Sequence, residues 1–159
     1  MPSGASYYMS TRILKKKVMF RKAFIVIESI LLVTLLYAGP HYKNGVYTGV
    51  SRSFYTQEPY YGITQITVER GLIVSISFVV RDSLKHEDFS EKYERHFAGY
   101  PEYIKQCRND WKGICSYPKS LMQQQDISKV DAISGATWSY NLFKDSFNDA
   151  LGKMNRQPR

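Results

Sequence analysis

Two cysteines and three histidines in 159 residues leave this chain little with which to build a metal or thiol centre. Cys107 and Cys115 form neither a CxxC nor a CxxCH pattern, so redox-thiol and c-type haem readings lose their basis. His41, His86 and His96 are scattered; His86-Glu87-Asp88 has ligand residue types without a spaced second histidine and reads as a solvated helix start. The chain also lacks a Ser/His/Asp constellation, a P-loop, a dinucleotide glycine fingerprint, internal repeats and low-complexity tracts. Long hydrophobic runs are scarce too: residues 23–38 make one, interrupted by Glu28.

Negative charge is missing from the first 22 residues. Arg12, Lys15, Lys16, Lys17, Arg21 and Lys22 stand there without an acidic partner, so six of the eight net positive charges belong to a leader and two to the rest. A nucleic-acid partner is therefore not expected, because binding needs a basic face on the folded part. A basic flank before an apolar run instead fits the positive-inside rule. The run is short against the ~20 residues that a bilayer core demands, and it reaches that length only if Arg21 and Lys22 snorkel to the headgroups. An uncleaved anchor and a cleaved signal peptide compete; the long leader and the poor cleavage site Leu36-Tyr37-Ala38 favour the anchor. The expected organisation is a basic cytoplasmic leader (1–22), a membrane anchor or signal h-region (23–38), a folded domain (43–154) and a tail (155–159). The expected location is the cytoplasmic membrane, single-pass, with the N-terminus cytoplasmic and the domain on the extracytoplasmic side.

The most informative stretch comes late. Asp131-Ala132-Ile133-Ser134-Gly135-Ala136-Thr137 sets a hydroxyl behind a small, flexible turn, and Phe143, Phe147, Ala150, Leu151 and Met154 then recur at helical spacing. The first turn of such a helix offers N–H groups and the positive end of the dipole to an anion, and Gly135 and Ala136 hardly obstruct its approach. The same letters also suit a Ser-Gly turn in which Ser134 or Thr137 is the N-cap and Asp131 holds the turn.

The spelling of this stretch resembles the flavin-attachment motif of the FMN-binding domain family, which occurs in subunits of sodium-pumping NADH:quinone oxidoreductases and Rnf-type electron-transfer complexes. The resemblance implies that Thr137 is joined to the phosphate of FMN by a phosphoester, with Ser134, Gly135 and Ala136 as neighbouring contacts and Asp131 opening the motif. It implies covalent FMN as cofactor, a flavin transferase that installs it from FAD using Mg²⁺, and redox partner proteins or a membrane electron-transfer complex. Tyr61, Gly62 and Trp138 are further candidates for contact with the flavin, against ordinary strand, turn and packing roles.

Upstream residues agree with that resemblance. Asn44-Gly45-Val46-Tyr47-Thr48-Gly49-Val50 reads as a first strand, and residues 62–68 and 72–80 as hairpin arms about Glu69-Arg70-Gly71. Thr64, Ile66 and Val68 face one way and Ile63, Gln65 and Thr67 the other, so one sheet face is strongly apolar. From 82 to 128 the pattern predicts two helical pieces: one with the aromatic stripe Phe89, Tyr93, Phe97, ended by Gly99 and Pro101, and one from Pro101 through Trp111. Such a stripe serves core packing or flavin stacking. Gln123, Gln124 and Gln125 read as a polar loop, against the alternative of an amide offered to the flavin ring. Cys107 and Cys115 are a possible disulfide closing a short loop outside the cytoplasm, although their spacing does not set the Cα separation a bridge requires.

The fold expected is α+β: a twisted antiparallel sheet, from strands near 45–56 and 62–80, packed by a C-terminal helix, with one N-terminal transmembrane or signal-anchor helix. The function expected is that of an electron carrier or electron-transfer subunit rather than a stand-alone enzyme, since no residue need act as acid or base. The alternative is a non-redox envelope binding or assembly module of a membrane complex.

Overall fold

A computed structural model describes residues 42–52 and 58–156. The chain divides into the units Met1–Gly39 and Pro40–Arg159, and the expected leader and anchor lie outside the described residues. Among those that are described, no helix is long and apolar enough to cross a membrane.

Four antiparallel strands, β1 (Gly45–Val50), β2 (Tyr60–Glu69), β3 (Leu72–Asp82) and the two-residue β4 (Glu87–Asp88), lie in that order in one sheet. The β2–β3 hairpin turns on Arg70 and Gly71, whose φ angles are 54° and 79°. Positive φ at both loop positions is what a type I′ turn demands, because its twist matches that of the strands it joins. Alternation in β2 follows expectation: Thr64, Ile66 and Val68 are buried, while Gln65 is exposed. In β3 a bulge opposite Thr67 and Val68 inserts Val74, which pairs with neither. That extra residue shifts the parity, so Ile73 and then Phe78 and Val80 all reach the core although odd and even positions are mixed.

The inner face is covered by two helices, α1 (Pro101–Gln124) and α2 (Thr137–Arg156). Tyr117, Leu121, Leu142, Phe143 and Phe147 are at most 2% exposed and form the centre of the core with Ile66, Val68 and Val80. α1 begins at Pro101 as the sequence predicts, but continues thirteen residues beyond Trp111 and includes Gln123 and Gln124. Pro118 lies inside it without ending it, and burial of Tyr117 before the proline and Leu121 after it outweighs the local penalty. Gln125 then terminates the helix in the left-handed conformation, at φ 57°. It is no loose loop residue. Its Oε1 accepts from Ile73 N–H at 2.8 Å, and its Nε2 donates to Ile73 O at 2.9 Å and to Met122 O at 2.8 Å, clasping the helix end to β3.

The first of the two middle pieces is a 3₁₀ turn, Glu91–Phe97, rather than an α-helix. Its aromatic stripe does pack: Phe89 stacks on Tyr93 with ring centroids 4.5 Å apart.

The edge of β1 is sealed by α2. Asp149 accepts from Val50 N–H at 2.9 Å, Asp145 from Arg52 N–H at 2.5 Å, and Lys153 Nζ donates to Thr48 O at 2.7 Å. These residues are four apart, one helical turn each, and the strand meets a matching row of polar tips. The approach is close enough that Gly49 is required: a Cβ there would lie 1.9 Å from Ser146 O.

Candidate functional site

Thr137 is exposed and is the first residue of α2, a helix of 20 residues. Before it, Ser134 and Gly135 form a turn with Gly135 at φ 78°, a conformation that favours glycine. A side chain at Gly135 would also meet Asn109 Nδ2 at 2.7 Å. Neither Ser134 nor Thr137 caps the helix by its side chain among the described residues. Ala136 O accepts the first helical bond, from Tyr140 N–H at 3.1 Å, and the capping carboxylate comes from Asp110 of α1. Its Oδ1 accepts from Ser139 N–H at 3.3 Å and from Ser139 Oγ at 2.8 Å. One donor of the first turn, expected to be available to an anion, is thus committed to the protein itself. Asp131 is exposed ahead of the turn.

α1 presents one face to this turn. Gln106 Nε2 donates to Gly135 O at 2.9 Å and to Asp110 Oδ2 at 2.7 Å. Tyr117 Oη donates to Ala136 O at 2.9 Å and accepts from Ile133 N–H at 3.2 Å. Gly113 lets the two elements touch, since a Cβ there would meet Ser139 Oγ at 2.8 Å and Ala136 Cβ at 3.0 Å. Positions 106, 110, 113 and 117 share one helical stripe, within the segment from 82 to 128 that the sequence marks only as helical.

Beside the turn lies a cavity of about 370 Å³. Tyr60, Phe89, Phe97, Tyr103 and Trp138 supply aromatic walls, and Gln106, Cys107, Asp110 and Glu58 the polar positions. Trp138, directly after Thr137, packs edge-on against Tyr60 with centroids 5.3 Å apart, and its indole N–H donates to Glu58 Oε2 at 2.8 Å. Phe97 stacks on Tyr103 at 5.5 Å. The stripe of Phe89 and Phe97 thus packs with the core, and it also walls the cavity.

The two β2 candidates, Tyr61 and Gly62, do not line this cavity. Tyr60, not Tyr61, lines the cavity: Tyr60 shares its strand face with buried Gly62 and Thr64, and Tyr61 lies on the other. Gly62 leaves room for α2, since a Cβ there would stand 2.9 Å from Leu142 O and from the Phe78 ring. The possible disulfide is corrected as well. Cys107 and Cys115 are free, and both lie on α1. Eight helical residues rise about 12 Å, well beyond the Cα separation of a bridge.

The ionisable groups of the site are shaped by burial. Asp110 is 3% exposed; desolvation pushes its carboxyl above the ordinary range, and hydrogen bonds from Gln106 and Ser139 offset part of that. Burial, with the nearby charges of Asp110 and Glu94, pushes the Cys107 thiol up to about 11. Behind the cavity, Tyr93 Oη lies 3.1 Å from Tyr60 Oη and donates to buried Asp82 at 2.5 Å. Burial raises the Asp82 carboxyl, but hydrogen bonds from Tyr93 and from the Lys85 and Leu84 N–H groups together hold it below its usual value. No group of three or more metal-ligating side chains occurs among the described residues.

The FMN-binding domain family matches residues 62–152, which take in most of β2, all of β3 and α1, the turn at Thr137 and most of α2. The chain belongs to that family. Among solved structures, a Clostridium perfringens protein seen by crystallography is 22% identical, with a TM-score of 0.54 over 72% of this chain and 89% of its own. A Clostridium thermocellum protein solved by NMR is 18% identical, with a TM-score of 0.41 over 74% and 95%. The first likeness supports the fold. No curated protein matches the chain.

An FMN-binding domain must offer its cofactor an aromatic slot for the ring and a place for the phosphate. Beside the turn at Thr137, the cavity is the aromatic-lined concavity described above. Trp138, Tyr60 and Tyr103 belong to that aromatic lining, and Gly135 and Ala136 leave the turn before Thr137 with little side chain.

Proposed function

We propose that this chain is a membrane-anchored, extracytoplasmic electron-transfer flavoprotein that carries FMN esterified to Thr137. The observation behind the proposal is the exposed hydroxyl of Thr137 at the head of a helix, one residue from a tryptophan that lines an aromatic cavity, in a chain of the FMN-binding domain family. When bound, the flavin supplies electron acceptance and donation. The chain's own residues hold and shield it: Trp138 and the tyrosines flank the ring, and the Thr137 ester retains the cofactor where free FMN is scarce.

In the attachment step the Thr137 oxygen attacks the FMN phosphorus of FAD. A phosphorus–oxygen bond to threonine forms, the pyrophosphate bond breaks, AMP leaves, and the hydroxyl proton passes to a base of the transferase. The exchange is redox-neutral. The basic leader and the apolar run support the membrane placement, and redox proteins of the same membrane would be its partners.

The test is expression of the full chain with a flavin transferase, followed by denaturing electrophoresis and mass measurement. The wild type should keep yellow fluorescence and gain the mass of one FMN phosphoryl group, and Thr137→Ala should lose both while remaining folded. A wild-type chain that stays colourless and unmodified under those conditions overturns the assignment in favour of a non-redox assembly module.

A further inference from the structure

We infer that Gln106 is a positioning residue, which locks the turn before Thr137 to α1 and thereby presents the hydroxyl for flavin attachment; this rests on the proposed ester at Thr137. The physical need is plain. Ser134, Gly135 and Ala136 leave space for a phosphate because they carry so little side chain, and the same smallness leaves the segment many conformations to lose. Rigidity must therefore come from elsewhere.

The structure supplies it from α1. The two N–H groups of the Gln106 amide are used at once, one on Gly135 O at 2.9 Å and one on Asp110 Oδ2 at 2.7 Å. Asp110, in turn, holds Ser139 through Oδ1. The turn is thus gripped on both sides of Thr137, at Gly135 and at Ser139, by neighbouring side chains of a single helix. Tyr117 secures Ala136 and Ile133 a little deeper. Gln106 and Asp110 also line the cavity, so the same pair fixes the tether point relative to the slot that receives the ring.

Gln106 is the informative member. It is exposed, so its replacement leaves the core intact. Asp110 is buried and its loss would disturb folding. The chemistry of the grip is also specific: both partners are acceptors, so the side chain at 106 must donate twice. Lysine can do this, alanine cannot, and glutamate offers acceptors where donors are needed.

The experiment uses the full chain with Gln106→Ala, Gln106→Glu, Gln106→Lys and, as a matched control, Gln125→Ala. Gln125 makes a comparable double clasp, but at the other end of α1 and onto β3. Amide hydrogen exchange over residues 134–138 is measured before flavin loading, and the initial rate of FMN transfer from FAD is then followed by mass. Loss of two hydrogen bonds should raise exchange in the turn by about tenfold in Gln106→Ala and Gln106→Glu. Transfer should slow by a similar factor, Gln106→Lys should restore both quantities to within about threefold, and Gln125→Ala should leave both near wild type. Unchanged exchange in Gln106→Ala, or equal slowing of transfer by Gln106→Ala and Gln125→Ala, overturns the role. A wild type that never gains flavin counts against the ester itself, and the exchange comparison then decides the grip alone.

Discussion

Asp110 and Ser139 meet across two helices through a doubly made contact, with one carboxylate oxygen accepting from the serine hydroxyl at 2.8 Å and from its backbone N–H at 3.3 Å. A helix start usually finds its cap in the residue just before it. Here the cap arrives from 29 residues upstream, which ties formation of the turn to docking of α1. A buried carboxylate without a basic partner is costly, and the N–H donor and dipole of α2 offset that cost.

The two buried carboxylates should respond to acid in opposite senses. Asp82 is held below its ordinary value of 3.8, so its ionised form stabilises the fold above that value and the contribution is lost as pH falls through the lower folded one. Asp110 is raised above 3.8, so its contribution is present below 3.8 and lost as pH rises through the raised folded value. Urea midpoints across the acid range check this. Relative to wild type, Asp82→Asn should lose about 2 kcal/mol at neutral pH and less below about pH 4. The difference between wild type and Asp110→Asn should shift toward wild type as pH falls.

Gly49→Ala should be among the most damaging single-methyl additions in the chain. Its Cβ would fall 1.9 Å from Ser146 O and 2.4 Å from Ala150 N, both backbone atoms of α2 that cannot step aside. A loss of more than about 3 kcal/mol is expected from overpacking at such a contact, measured by thermal or urea unfolding.

The hairpin loop offers the reverse. Arg70 occupies positive φ at 54°, where asparagine rests more easily, and the following Gly71 already suits the turn. Arg70→Asn should raise stability by about 0.5 kcal/mol, seen as a rise in Tm without a change in flavin content.

The thiols should behave as two isolated groups. Cys115 is exposed and Cys107 buried with its thiol pushed up to about 11. Iodoacetamide at mildly alkaline pH should label Cys115 at least about tenfold faster. Peptide mapping after mild oxidation should find no link between the two; a crosslinked peptide would contradict the helix geometry.

Much of this was legible in the residues. The alternation of β2, the Arg70-Gly71 turn and the apolar face of α2 are local patterns, and local patterns survive folding. The phase of the tyrosines did not follow: choosing Tyr60 over Tyr61 requires knowing which face α2 covers, which β2 alone does not reveal. The extent of α1 escaped for another reason. Pro118 and the polar run Gln123-Gln124-Gln125 argue locally against a helix, and only packing of Tyr117 and Leu121 carries it past them. The grip of Gln106 and Asp110 was hidden because its partners lie 29 residues away in sequence. A spacing within one helix becomes meaningful only once the turn is laid against it.

The row of Asp145, Asp149 and Lys153 along β1 has a consequence for how the molecule fails. Unravelling from the far end of α2 would release Lys153 and Asp149 first and bare a strand margin able to recruit another copy, while the turn at Thr137 is still held from α1. Self-association should therefore precede loss of the turn at Thr137, so that a partly damaged population clumps with that turn still in place.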